Sequence, residues 1–275
     1  MELITFETQG LYGGTVVYPY ETTPQHLVAF ENFARNIPND PAASAICIWQ
    51  YSSATDMTIV LNAYDYTLPV EKPAAYDEFF AIQPEIANSI RVTNISDLIG
   101  ELGVAYGDRQ LFMTNTFELD SEILKKMIET HETAIATIKA GAPIGSWNYV
   151  SMIQPISPIF TQHSKEKGGN VVGLDQFGDK DLVMFLAFPS WDSSADDTLF
   201  SGAIHSQIDE INAFAASLGK SNPWIYTNYA DVSQNPLAAY GAENIAKIKA
   251  AAAKYDPTGV FQKLQPGGFK ISAIA

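Results

Sequence analysis

Hydrophobic and polar positions alternate early in this chain. Residues 3–8, LITFET, and 13–20, GGTVVYPY, carry β-branched and aromatic residues in period two, which predicts two strands. Thr23-Pro24 then offers a capping residue followed by a proline suited to the first turn of a helix. Leu27, Phe30, Phe33 and Ile37 keep helical spacing until Pro38 ends the run. SAICIWQYSS and MTIVLNAYDY read as strands joined by a polar link at residues 53–56, the pattern of an antiparallel hairpin. The same grammar recurs as a helical AAYDEFFAI, a strand-like SIRVTN, a short helix after Ser96 and a strand RQLFMTNTFEL. A long helix opens at Asp120-Ser121, places Ile123, Leu124, Met127, Ile128, Ile135 and Ile138 on one stripe, and stops at Gly141-Ala142-Pro143. SWNYVSMIQPI and DLVMFLAFPSW predict two further strands, separated by a helical turn and the loop KGGNVVGLDQFGD. An amphipathic helix carrying Ile204, Ile208, Ile211, Phe214 and Leu218 ends at Gly219.

Strands interleaved with one-sided helices predict an α+β fold with a largely antiparallel sheet covered on one face by helices. The other face of such a sheet requires a partner or a ligand. We place a boundary near Asn222, dividing a sheet-and-helix domain at 1–221 from a terminal unit at 222–275. That unit comprises NPWIYTNYADVSQNPLAAYG, a helix at 242–254 and the tail AKYDPTGVFQKLQPGGFKIS. In the tail, Asp256-Pro257 stops the helix, Val260 and Phe261 offer an apolar anchor, and Pro266-Gly267-Gly268 turns the backbone before Phe269 and Ile271. Such a tail expects a surface to dock on.

Composition narrows the partners. With 47% hydrophobic residues in 275, the chain can bury a sizeable core, so disorder is excluded. The 16 basic and 31 acidic residues give a formal charge of −15, a field that repels phosphate backbones and anionic headgroups. Neither nucleic acid nor a membrane surface is expected as a partner. A single cysteine, Cys47 in AICIW, allows no internal disulfide and reads as a buried small hydrophobe. No apolar run approaches the roughly 20 residues of a membrane span. MELITFETQG lacks the basic and apolar regions of a signal peptide, so the chain reads as cytoplasmic.

Chemistry-bearing motifs are few. His26, His131, His163 and His205 are isolated in sequence and read as packed or solvated, so no metal site is expected. The glycines of YGG (12–14) and KGGNVVGLD (167–175) match neither a dinucleotide fingerprint nor a P-loop, and read as turn formers. WIYTNYAD, residues 224–231, is more informative. Read as an extended segment, it projects Tyr226 and Asn228 together and Thr227 and Tyr229 oppositely. Two readings stand open: aromatic packing around one satisfied asparagine, or a polar wall over a flat heterocyclic ligand.

KGGNVVGLD, NPWIYTNYADVSQNPLAAYGAENI and KYDPTGVFQKLQPGGFKI together resemble the C-terminal part of fungal FAD-linked oxidoreductases of the berberine bridge enzyme-like group, which carry a PCMH-type FAD-binding domain. LITFETQGLYGGTVVYP is similar to the family's junction between the last FAD-domain strand, here residues 1–8, and the substrate domain. The resemblance implies that the antiparallel sheet roofs a flavin and shapes a pocket for a small natural-product intermediate. It assigns Asn228 a place beside the cofactor, Tyr229 the role of catalytic base, and Tyr226 a place in the substrate pocket. Asn148 is a further candidate donor in that pocket. Plant members use a glutamate on the strand corresponding to DLVMFLAF, whereas the residues around Met184 here are apolar. The family's FAD domain would precede Leu3, where this sequence has Met1-Glu2. The expectation is therefore that FAD is not held by this chain alone: the chain is either excerpted from a longer protein or assembled with a separate FAD-domain chain, and a homo-oligomer is a further candidate partnership. The alternative is a flavin-free enzyme that reuses the pocket for a redox-neutral cyclisation, isomerisation or pericyclic step. A third reading is a non-catalytic binding protein or inactive remnant.

Overall fold

The computed structural model describes residues 10–101, 103 and 107–274, so the strand expected at 3–8 lies outside the described residues. Strand β1 (Leu11–Pro19) leads through a short turn into α1 (Thr23–Asn36). The expected hairpin follows as β2 (Ala43–Ser52) and β3 (Met57–Tyr66), then α2 (Asp77–Phe80), β4 (Ala87–Asn88), β5 (Arg91–Thr93) and α3 (Ile95–Glu101). Next come β6 (Arg109–Gln110), β7 (Met113–Glu118), α4 (Ser121–Ala140), β8 (Trp147–Ile156), α5 (Pro158–Glu166), β9 (Leu182–Trp191) and α6 (Asp197–Ser217). The chain ends in β10 (Ser221–Asn222), α7 (Ala242–Tyr255) and α8 (Val260–Lys263).

These strands form one antiparallel sheet in the order β10-β7-β9-β8-β2-β3-β1-β4, with β5 also on β1 and β6 on β9. The fold is therefore the α+β arrangement that the alternation predicts. The single strand expected over RQLFMTNTFEL divides into β6 and β7. The register runs straight through the gap, but Pro189 stands opposite Leu111 and has no N–H to return the bond it receives from the Leu111 amide at 3.3 Å.

One face of the sheet is closed by α1, α4 and α6. Alternate residues Cys47, Trp49, Ile153, Val183, Phe185 and Phe117 point there and are fully buried. Trp49 Nε1 donates to Thr23 Oγ1 at 3.0 Å, and that hydroxyl donates to the Tyr20 carbonyl at 2.6 Å. Thr23 thus joins sheet to helix and is not the expected cap; the first helical residue cannot turn its side chain back to the amides while it makes these bonds.

The YGG glycines are not turn residues. They lie inside β1, where a Cβ on Gly13 would meet the Tyr64 carbonyl at 2.5 Å and one on Gly14 would meet the Ser89–Ile90 backbone at 2.9 Å. Close passage of neighbouring backbone, not a reversal, requires glycine here. Gly168, Gly169 and Gly173 do adopt the left-handed conformations of a turning loop.

The core also holds a polar cluster. His131 Nδ1 bonds Ser151 Oγ at 2.9 Å, Gln207 Nε2 donates to the same oxygen at 3.1 Å, and Tyr149 OH donates to Gln207 Oε1 at 2.7 Å. His131 is completely buried, which holds its pKa down to about 3.

The outer edge of β7 is closed in two ways. β10 pairs Ser221 and Asn222 with Phe117 and Thr116. Further along, Gln234 acts as a substitute strand residue: its Nε2 donates to the Thr114 carbonyl at 2.6 Å and its Oε1 accepts from the Thr114 amide at 3.2 Å. The same Oε1 accepts from the Asp231 amide at 3.0 Å, tying residues 226–234 to the sheet.

Beyond this point contacts thin out. No α7 residue is buried, and the tail folds back on α7, with Lys249 Nζ donating to the Ile274 carbonyl at 3.0 Å. Phe261 and Leu264 are 69% and 77% exposed, and Val260 is also exposed, so the expected anchor finds no seat among the described residues.

Two outcomes are expected. Below its unfolded pKa of about 6.5, His131 gains a proton only on unfolding, so stability falls as pH drops from that value toward 3. His131→Gln should be less stable at pH 7 yet lose about 1.4 kcal/mol less per pH unit between pH 6 and 4, measured by urea unfolding. Gln234→Ala should cost about 1–3 kcal/mol locally. Hydrogen exchange should then accelerate at amides 226–234 and not in β2 or β9.

Candidate active site

The uncovered face of the sheet is apolar across its centre. Ile48 on β2 stands opposite Met152 on β8, and Met152 opposite Leu186 on β9. One row toward the β2–β3 hairpin lie Gln50, Val150 and Phe188, and beyond them Asn148 and Ser190, whose side chains meet at 3.4 Å. These rows floor a cavity of about 410 Å³ that also reaches Leu61 on β3. Tyr229, Glu101 and Asp108 also line it.

Tyr229 arrives by a route the alternation did not predict. Residues Thr227–Tyr229 form a short helical turn rather than an extended segment, with the Tyr229 amide donating to the Tyr226 carbonyl at 3.0 Å. The turn brings Tyr226 and Tyr229 together edge to face at 5.0 Å between ring centres, where an extended chain would have separated them. Trp224, buried against Ile156, Leu182 and Met184, stacks on Tyr226 at 5.9 Å and anchors the group. Its indole N–H donates to the Val172 carbonyl at 2.9 Å, so the KGGNVVGLD loop supports the site from outside.

The expected residues separate into two layers. Tyr229 and Asn148 line the same cavity. Tyr226 sits behind Tyr229, and exposed Asn228 donates to the Tyr226 hydroxyl at 2.8 Å. Met184 lies beneath the tyrosines, so this position offers no acid or base. Phe112, edge-on to Tyr229 at 6.0 Å, and Gln154, hydrogen-bonded to its phenol, complete the surroundings. Burial and the neighbouring Tyr226 push the Tyr229 pKa up from 10.0, and the Gln154 bond opposes them incompletely. At neutral pH the group is a phenol, hence a hydrogen-bond donor.

Gln50, Gln154, Ser190 and Phe112 escaped the sequence reading. The period-two signal was present in AICIWQYS, which places Ile46, Ile48 and Gln50 on one face, but only strand register shows that this is the open face.

The flavin implied by the resemblance can be tested against these groups. The apolar open face with a tyrosine at its rim suits a flat ring system, but the phosphates find no match. The loop at Gly168 and Gly169 opens on a depression bearing Asp175 and Glu243, and among the described residues that line it Lys247 is the cation, paired with Glu243 at 2.9 Å. The described residues therefore fit the ring and not the pyrophosphate.

Among the described residues no three potential metal ligands converge, and no helix is long and apolar enough to cross a membrane. Cys47 is fully buried on the closed face, and burial pushes its thiol pKa far up.

No family model matches the chain. The FAD-dependent monooxygenase drtC of Aspergillus calidoustus is 36% identical over 99% of this chain and 52% of its own length. The FAD-dependent monooxygenase sdcF of Emericella nidulans is 38% identical over 98% of this chain and 56% of its own. Among solved structures, a berberine bridge enzyme variant superposes with a TM-score of 0.62 at 10% identity, covering 97% of this chain and 56% of the other. GilR, an oxidoreductase solved with pregilvocarcin, gives 0.61 at 12% identity, covering 91% and 54%. At such identities these structures share the fold. The chain spans about half the length of the curated relatives it matches. Across nearly all of its own length, the chain is homologous to fungal proteins named FAD-dependent monooxygenases, and it shares its fold with about half of berberine bridge enzyme.

Proposed function

We propose that this chain is the substrate-binding and catalytic part of a berberine bridge enzyme-like oxidoreductase that acts on a small natural-product intermediate. One observation carries this reading: the open-face cavity joins an apolar floor to Tyr229, the residue that the resemblance assigns to proton transfer. FAD, held through its phosphates by polypeptide outside this chain, supplies the oxidising power. This chain binds and orients the substrate, excludes water with Phe112, Phe188 and Met152, and handles a proton at the Tyr229 hydroxyl. Tyr226 and Asn228 act through Tyr229 as positioning residues, and Asn148 meets the substrate at the far end. The half-length match to FAD-dependent relatives supports the division of labour.

The protonated state of Tyr229 favours a second reading. A phenol and amide donors around an apolar cavity can hold a reactive conformer and polarise it for a redox-neutral ring closure. The two readings differ in what FAD does and in the pH response.

As a base, Tyr229 is active only as phenolate. With its pKa above 10.0, kcat/KM should rise about tenfold per pH unit up to and past that value. As a donor, it should give a flat profile that falls above that pH, without dependence on FAD. In the flavin-loaded protein, Tyr229→Phe should lower turnover by about 10²–10⁴ while substrate affinity changes little. A variant retaining full turnover would remove Tyr229 from the chemistry. The cofactor division is tested by adding FAD with and without the relatives' remaining half and recording bound flavin absorbance.

A further inference from the structure

The cavity carries a chemical asymmetry that defines its occupant. Glu101 and Asp108 line it, and among the described residues no Lys, Arg or His does. Glu101 already spends its charge on Arg91 at 2.6 Å and Ser89 at 2.6 Å. A substrate carboxylate or phosphate would therefore enter an apolar site that holds the Asp108 carboxylate and, among the described lining residues, no cation to pair with it, an unfavourable transfer.

Amide groups that line the cavity and could recognise a neutral molecule, Gln50, Asn148 and Gln110, lie on its rows toward the β2–β3 hairpin. Gln50 and Asn148 lie diagonally across β2 and β8, both half-buried and both facing the cavity. Among the described residues Asn148 makes one side-chain contact, to Ser190 at 3.4 Å, leaving most of the amide's hydrogen-bonding capacity for the cavity. Tyr229 lines the cavity and is hydrogen-bonded to Gln154, further along β8. At a strand rise of roughly 3.3 Å per residue, Val150, opposite Gln50, lies about 13 Å from Gln154. Between them the floor is apolar, with Met152 flanked by Ile48 and Leu186.

Resting on the reading that this cavity binds substrate, we propose that it takes an uncharged, elongated and mainly hydrocarbon or aromatic molecule. That molecule carries a hydroxyl or carbonyl oxygen at the end away from the reacting centre. Gln50 and Asn148 are the specificity-determining residues: they bind this oxygen and thereby set which end of the molecule reaches Tyr229. Their selectivity has a physical source. A half-buried amide left without its partner loses hydrogen bonds it had to water, so an analogue lacking the oxygen is rejected more strongly than one lacking a methylene.

Three probes of one shape test the assignment on the full chain: 4-hydroxybiphenyl, biphenyl and biphenyl-4-carboxylate, titrated by tryptophan fluorescence and ligand-observed NMR. The phenol should bind about tenfold tighter than the hydrocarbon, and the carboxylate more weakly than either. Gln50→Leu with Asn148→Leu should bring the phenol to the affinity of biphenyl without weakening biphenyl itself; retained binding of biphenyl also reports a folded site. Gln50→Glu should weaken the phenol less than the double leucine change, since a carboxylate still accepts its hydrogen bond. Equal or tighter binding of the carboxylate, an unchanged phenol-to-biphenyl ratio in the double variant, or no binding of any probe would each overturn the proposal. Failure of Tyr229→Phe to affect turnover, with the probe ratios as expected, would instead sink the catalytic reading and leave the substrate assignment intact.

Discussion

An antiparallel sheet has two faces, and its central strands must satisfy both. Here that constraint is met unequally. β9 is buried at nearly every position: long helices cover one side of it, and the Trp224–Tyr229 segment covers part of the other. The cost of ordering so many backbone bonds is offset on the closed face by aromatic burial, with Trp49, Phe185 and Phe117 wholly removed from water. On the open face the same apolar character persists at Ile48, Met152 and Leu186 without a helical layer above it. The cavity is a consequence: a sheet hydrophobic on both sides, with one face fully covered and the other covered only toward its ends, leaves an open apolar patch between.

The closed face supplies rigidity in a form that suits this role. Ser151 lies on β8 between Val150 and Met152, both of which line the cavity. Its hydroxyl is held from beneath by His131 and Gln207, and Gln207 in turn by Tyr149. Each of these groups is fully or nearly fully buried, so a substitution leaves an unpaired polar atom rather than an exposed one. The floor of the cavity is therefore fixed by polar bonds on the face opposite the cavity.

The alternation of apolar residues revealed most elements because helix and strand periods differ, and because the long helices α4 and α6 carry unbroken stripes. The α+β class and the hairpin of β2 and β3 were legible for that reason. Three features were not. Pro189 interrupts the β6–β7 pairing from the neighbouring strand, and a strand's own sequence cannot report its neighbour's missing donor. Gly13 and Gly14 look like a turn because sequence does not show which backbone passes over them. The Tyr226–Tyr229 segment was misread as extended, since its turn is stabilised by distant groups: Trp224 on the sheet, Tyr240 bonded to Thr227 at 2.6 Å, and Gln234 on β7. The resemblance pointed to Tyr229, and Asn148 was a candidate donor, whereas Gln50 acquired meaning only from register.

The turn that carries Tyr229 is also the point at which electrostatics and architecture meet. In the observed turn the ring lies between Tyr226 and Phe112, and this enclosure withdraws solvent from the phenolate. Among the described residues the Gln154 side chain favours ionisation, and it does not compensate for the burial. Proton abstraction near neutrality therefore needs a further source of positive potential, which the described residues lining the cavity do not present: they are acidic at Glu101 and Asp108 and neutral elsewhere. Donation of a hydrogen bond needs none. The choice between base and donor thus turns on what covers the open face, because the same missing layer that leaves the apolar patch open also leaves the phenol unactivated.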